Sequence, residues 1–121
     1  MKKFLVFLVA ISIQLCCFSL AFSASFEETK RAADQGDADA QFNMGAMYYD
    51  GEGVQQDYQK AKQWYEKAAE KKDANAQYIL GFMYEKGHGV RQDLATAKEW
   101  YGKACDNGKQ DGCDAYARLN R

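Results

Sequence analysis

The 121-residue chain has no proline, a single histidine and no block of basic residues. An absence of proline together with 14% aromatic residues speaks against a disordered tail and suits a packed helical domain. Acidic and basic residues are interspersed, 17 against 16, which gives a formal net charge of −1. That balance leaves no electrostatic basis for binding nucleic acid or an anionic membrane surface. His88 stands alone between two glycines and reads as an exposed turn residue. With no nucleophile or carboxylate in a matching position it completes no catalytic constellation. G-x-S-x-G, H-E-x-x-H, G-x-x-x-x-G-K-[ST] and C-x-x-C are all missing. GEGV (residues 51–54) and GHGV (residues 87–90) have neither a preceding strand nor the third glycine of a nucleotide loop. Asp50 and Glu52 flank Gly51 without the alternating oxygen ligands of a calcium loop. No metal and no cofactor is expected.

Long apolar runs are also scarce, with one exception at the start. Lys2 and Lys3 precede an almost wholly apolar stretch, residues 4–22, and small residues follow. Ala21 and Ser23 occupy the −3 and −1 positions read by a signal peptidase, so residues 1–23 form an expected signal peptide, with cleavage after Ser25 as the alternative. Retained, the same stretch would tether a membrane-bound scaffold, although Ser12, Gln14 and Ser19 weaken it as a span. Cys16 follows Leu15 and Cys17 follows Cys16, so neither has the small preceding residue of a lipid-modified cysteine. Cleavage removes Lys2 and Lys3 and moves the net charge from −1 to about −3. The mature protein is then exported, periplasmic or secreted, with no membrane association.

What the chain does have is internal repetition. Residues 37–72 align without a gap on residues 73–108, and about half the positions are identical. A period in the thirties with helical patterning marks an all-α solenoid of tandem 36-residue helix-turn-helix units. The first helix of each unit starts after Asp37 or Asp73, a good N-cap. It carries Ala40, Met44, Met47 and Tyr48, matched by Ala76, Leu80, Met83 and Tyr84, along one face. Gly45 and Gly81 lie inside that helix, where glycine costs about 1 kcal/mol relative to alanine; a cost incurred twice implies close approach of the partner helix. The paired glycines of GEGV and GHGV permit a tight reversal. Asp57 and Asp93 then cap a second helix carrying Ala61, Trp64, Tyr65 and Ala68, or Ala97, Trp100, Tyr101 and Ala104. Phase and recurrence assign these aromatics to the core. Residues 26–36 fall in register with the end of a second helix and residues 109–121 with a first helix. The domain over residues 26–121 therefore reads as two full units with a half-unit at each end, which supplies each with a neighbour.

The recurring A-x-x-x-x-G-x-M-Y, G-x-G-V, and D followed by K-x-W-Y-x-K-A, resemble the Sel-one-like repeat, a relative of the tetratricopeptide repeat. The resemblance covers nearly all of the mature chain. It implies an α/α superhelix of right-handed sense and a role in binding other proteins rather than in catalysis.

Cys105 and Cys113 remain after cleavage, eight residues apart across a turn. Cys105 takes the place of Ala69; Cys113 takes the place of Gln41 and Gln77. In an exported chain an even count favours one disulfide, the alternative being two free thiols packed between helices. Zinc is disfavoured because His88 lies in a distant turn. The spacing is similar to that of the secreted, cysteine-rich branch of the same repeat family, although only one junction here carries the pair. Members of that branch imply a second function, β-lactam or cell-wall ligand binding or hydrolysis, yet S-x-x-K and K-T-G are both missing, so no catalytic residue is assigned.

Positions that differ between the two copies are freer to serve binding. Asn43, Ala46 and Asp50 form one stripe on the first helix of the first unit; Ile79, Phe82 and Lys86 form its counterpart in the second. In related solenoids first helices line the concave surface, so these six residues are the expected contact with an unidentified protein or peptide. Ile79 and Phe82 are expected as large apolar side chains on an open face; the alternative is ordinary packing against the neighbouring hairpin. A monomer is expected.

Overall fold

A computed structural model describes residues 25–121; the expected signal peptide, residues 1–23, lies outside them. Helix α1 covers residues 25–34. It is followed by α2 (Ala38–Asp50), α3 (Tyr58–Glu70), α4 (Ala74–Lys86), α5 (Leu94–Asp106) and α6 (Gln110–Leu119). No strand occurs among the described residues. Each helix packs on the next in chain order, α2 on α3, α3 on α4, α4 on α5 and α5 on α6, which is the layout of an α/α solenoid.

Four aspartates set the helix starts. Asp37, Asp57, Asp73 and Asp93 are extended, and each side chain accepts from the N–H three residues on, at 2.9–3.1 Å. Each such cap is worth about 1 kcal/mol. Helix α6 has no equivalent: Lys109 stands where Asp37 and Asp73 stand, and makes no side-chain cap. At the other end of α2 and α4, Gly51 and Gly87 adopt φ of 72° and 74°. There the N–H groups of Gly51 and Glu52 both donate to the Met47 carbonyl, and those of Gly87 and His88 to the Met83 carbonyl.

Where helices cross, the contacts are small. Ala61, Ala68, Ala76, Ala97 and Ala104 are fully buried, so backbones approach closely around a few large groups, chiefly Met44, Leu80, Met83 and Tyr101. Each of those four contributes roughly 1.5–3 kcal/mol by leaving water. The interior glycines are explained by the tyrosines of the following helix. A Cβ built on Gly45 would lie 2.7 Å from ring carbons of Tyr65, and one on Gly81 would lie 2.6 Å from those of Tyr101. Each ring therefore rests directly on the backbone of the preceding helix. Trp64 and Trp100 differ from the expected core placement. Both are only half-buried, sealing the edges of the neighbouring clusters, with Lys67 and Lys103 ammonium groups 4.4 Å above their rings. Their position one residue ahead of the buried tyrosines turns them toward the solvent boundary, where an indole and a lysine three residues later meet.

The third copy of the glycine position is Ala117, which is exposed because no described helix packs a tyrosine onto α6. Gly81→Ala should therefore destabilise the protein by about 1–3 kcal/mol through overpacking, despite a helix-propensity gain of about 1 kcal/mol. Ala117→Gly should also destabilise, by up to about 1 kcal/mol, since there only propensity acts. Urea unfolding of both variants checks the contrast, and a stabilised Gly81→Ala protein contradicts the ring-on-backbone contact.

Candidate protein-binding face

The first helices α2, α4 and α6 are bridged along one face by side chains that recur at the same register. Phe82 on α4 and Tyr49 on α2 meet through the ring of His88, and Arg118 on α6 stands directly against Glu85 on α4. The chemistry at the two places is different. At the first, the turn after α4 folds back onto the preceding unit. The His88 ring stacks on Tyr58 with centroids 4.9 Å apart and a 7° interplanar angle, its Nδ1 lies 2.7 Å from Tyr49 Oη, and Phe82 meets it edge-on at 5.8 Å. Tyr49 and Tyr58 complete the cluster at 5.0 Å. Burial pushes the Tyr49 phenol above its ordinary value, so it stays neutral.

At the second place an ion pair replaces the aromatics. Glu85 is only 9% exposed. Arg118 grips it with both guanidinium nitrogens, Nη1 at 2.8 Å from Oε1 and Nη2 at 2.9 Å from Oε2, and Tyr101 Oη donates to Oε2 at 2.6 Å. The hydrogen bond from Arg118 holds the Glu85 carboxyl below its ordinary value against the opposing effect of burial, with Tyr101 helping. Burial first, and the bond to Glu85 second, push the Tyr101 phenol well up.

A second register runs through the junctions between units. Gln41 Nε2 donates to the Ala33 carbonyl and Gln77 Nε2 to the Ala69 carbonyl, both at 3.2 Å and both buried. The third copy of that pair is Cys105 and Cys113, which form a disulfide with Cα atoms 4.6 Å apart. Gly112 lets α6 settle this close, since a Cβ there would lie 2.8 Å from Ala104 Cβ and 2.9 Å from the Tyr101 carbonyl.

The Sel1 repeat profile matches residues 38–73 and again 74–109. The chain belongs to the Sel1 repeat family. Repeats of this family typically serve in protein–protein interaction. Among solved structures, a Sel1 repeat protein from Oxalobacter formigenes is 34% identical, with a TM-score of 0.73 over 80% of this chain and 39% of that one. A protective antigen of uropathogenic Escherichia coli with an SLR fold is 33% identical, with a TM-score of 0.76 over 81% of this chain and 21% of that one. Cysteine-rich protein B of Helicobacter pylori is 30% identical, with a TM-score of 0.70 over 74% of this chain and 67% of that one. The chain thus spans well under half the length of the first two relatives. No curated protein matches it.

Within this Sel1 solenoid the six divergent residues do not form an open apolar patch. Asn43, Asp50 and Lys86 are exposed and Ala46 is half-buried. Ile79 is half-buried against the cluster of Ala61, Tyr65, Ala68 and Leu80, so its apolar bulk belongs to ordinary packing between hairpins. Phe82 is half-buried because the His88 turn closes over it, and Lys86 Nζ lies 5.9 Å from its ring centroid. The reading of His88 as an exposed turn residue is likewise corrected: Gly89 comes so near Tyr58 that an added Cβ would lie 2.7 Å from Tyr58 Cβ, which seats the imidazole on the ring. Glu85 and Arg118 were not singled out from the sequence. Their signal was faint, a charged residue replacing Tyr49 in a helix facing the core. Among the described residues no group of three or more His, Cys, Asp or Glu side chains is placed to hold a metal, and no helix is long and apolar enough to cross a membrane.

Tyr101→Phe keeps the ring on Gly81 and removes only the hydroxyl, so it should cost about 1.5 kcal/mol at pH 7. Because folding lowers the Glu85 value from its ordinary 4.5, the ionised network contributes fully above pH 4.5 and is lost as pH falls through the folded value. The difference between wild type and Tyr101→Phe should shrink over that acid range. A difference that stays constant at every acid pH at which the protein remains folded would contradict the charge-assisted bond.

Proposed function

We propose that the protein is an exported, non-catalytic Sel1-repeat module that holds another protein or peptide against the concave face of α2, α4 and α6. One observation carries this reading. Between two copies that are half identical, the residues sealing each hairpin are kept, as in Ala40 and Ala76, Gly45 and Gly81, Tyr65 and Tyr101. The first-helix stripe instead changes in size and charge, from Asn43, Ala46 and Asp50 to Ile79, Phe82 and Lys86. Packing accounts for Ile79 and in part for Phe82, which leaves Asn43, Ala46, Asp50 and Lys86 as the accessible members.

Export is supported by the basic, apolar and small-residue order of residues 2–23 and by the Cys105–Cys113 disulfide, a bond that persists in oxidising compartments. Similarity to a cysteine-rich Helicobacter pylori protein points the same way. The absence of catalysis is supported by how the perturbed groups are used. Tyr65 is raised by burial beneath Gly45, and Glu85, Tyr101 and Arg118 satisfy one another. The module acts as a monomer, and one unidentified protein or peptide is its ligand.

The test is affinity capture from the exported fraction with wild type and with an Asn43→Arg, Ala46→Glu double variant. Asn43 is exposed, and Ala46, although half-buried, is not among the residues packed on the core clusters as Ile79 is. The variant should retain its helicity and melting behaviour and lose the partner; capture at wild-type level rejects the face. The recovered protein should have the intact mass of a chain beginning at Ala24, and retention of residues 1–23 contradicts export by cleavage. Turnover of a chromogenic β-lactam by the pure protein contradicts the non-catalytic reading.

A further inference from the structure

Each junction between units passes through a two-residue turn at the same register: Gln35 and Gly36, Lys71 and Lys72, Asn107 and Gly108. The second residue is left-handed at all three, with φ of 97°, 66° and 94°. Only the last turn is Asn-Gly, and no other asparagine of the chain precedes a glycine. That pair carries a chemistry of its own. With no Cβ on Gly108, and open space where one would stand, nothing obstructs attack by its backbone nitrogen on the Asn107 side-chain carbon.

The fold restrains both reactants. Asn107 is exposed, yet its Nδ2 donates to Gln77 Oε1 at 2.9 Å and to the Lys103 carbonyl at 3.0 Å. The Gly108 N–H donates to the Cys105 carbonyl at 3.0 Å, and the Lys109 N–H to the Ala104 carbonyl at 2.9 Å. Asn107 has a ψ of 17°, which turns the Gly108 nitrogen away from its Cβ. Closing a five-membered ring needs the two almost eclipsed, so ψ must rotate and the Gly108 hydrogen bond must break. The turn also lies inside the loop closed by Cys105 and Cys113, both half-exposed, which limits that rotation while the bridge stands.

We propose that Asn107–Gly108 is a site of spontaneous deamidation, held shut by the α5–α6 junction while Cys105–Cys113 is intact and released once a thiol reductant opens the bridge. Two electrons and two protons pass to Cys105 and Cys113, which become thiols, and the reductant becomes a disulfide. The freed turn rotates, the Gly108 nitrogen bonds to Asn107 Cγ, and the Cγ–Nδ2 bond breaks. Nδ2 leaves as ammonia with the proton that the Gly108 nitrogen gives up. Water then opens the succinimide. Breaking the bond from nitrogen to Cγ gives aspartate; breaking the bond from nitrogen to the main-chain carbonyl carbon gives isoaspartate. Either product exchanges an amide donor for an anionic acceptor beside Asp106. Gln77, only 3% exposed, then loses the partner of its Oε1, the state in which Gln41 Oε1 already stands. A molecule whose junction has opened is thereby marked permanently, and the mark weakens that same junction after reoxidation.

Peptide mapping by mass spectrometry after incubation in mildly alkaline buffer tests this. Deamidation adds about 1 Da, whereas isomerisation at Asp50–Gly51 or Asp111–Gly112 adds nothing. The folded, oxidised protein should deamidate at Asn107 at least about tenfold more slowly than the same protein unfolded in urea. Dithiol reduction without urea should remove most of that gap. Circular dichroism reports whether the reduced protein keeps its helices. Where it does not, the comparison passes to oxidised Gln77→Met, which removes the acceptor of the Asn107 amide and should deamidate severalfold faster than oxidised wild type. Equal rates in the oxidised and unfolded protein overturn the inference, as does a folded, reduced protein that deamidates no faster than the oxidised one. Where reduction costs the fold, a wild-type rate in oxidised Gln77→Met does the same.

Discussion

A hairpin of two thirteen-residue helices can bury one side of each helix against the other, but its remaining apolar surface is covered only when the next hairpin arrives. This dependence on a neighbour governs the whole molecule. Its geometry is set by a tyrosine ring resting on a glycine of the preceding helix, Tyr65 on Gly45 and Tyr101 on Gly81. The ring fixes how far apart the helices stand, and alanines fill the rest of the crossing. The cost of glycine within a helix, about 1 kcal/mol, is outweighed by the burial of a complete aromatic side chain.

Given that spacing, the same slots recur at each junction and can be filled by different chemistry. The slot eight residues long is closed by Gln41 on Ala33, by Gln77 on Ala69, and by the disulfide at Cys105 and Cys113. The slot between first helices is closed by stacked aromatics around His88 and then by the Glu85–Arg118 pair. Even the amide partners vary. Gln77 Oε1 accepts from Asn107, whereas Gln41 Oε1 finds no partner among the described residues, because Lys71, at the corresponding position, donates to the Gly36 carbonyl. The strongest closure falls where the helix needs it most. Helix α6 is short, lacks an aspartate cap and is followed by no packed helix among the described residues.

Much of this was legible in the sequence because repetition acts as an internal control. Agreement between copies identified the caps Asp37, Asp57, Asp73 and Asp93, the reversals at Gly51 and Gly87, and the buried tyrosines. Cysteines standing eight residues apart, in the places of Ala69 and Gln77, pointed to the bridge. What escaped were contacts between unlike residues of neighbouring units. A periodic pattern reports which side of a helix is buried; it cannot say that the turn carrying His88 will lie on Tyr58, or that Glu85 will meet Arg118 thirty-three residues later. The same limit made Ile79 and Phe82 look open. Their phase placed them on the outer stripe, and the neighbouring cluster and the His88 turn cover them from outside their own helix.

If each junction is an independent closure, loss of one should be felt locally. The loop closed by Cys105 and Cys113 is short, and constraining it is worth about 2–3 kcal/mol. Hydrogen exchange on the oxidised protein and on the protein reduced by a dithiol tests this most directly. Reduction should accelerate exchange of the α6 amides by roughly 30- to 150-fold, the equivalent of about 2–3 kcal/mol, while those of α2, α3 and α4 keep their protection. Unchanged protection in α6, or an equal loss across all the helices, would show that the array is not held together junction by junction.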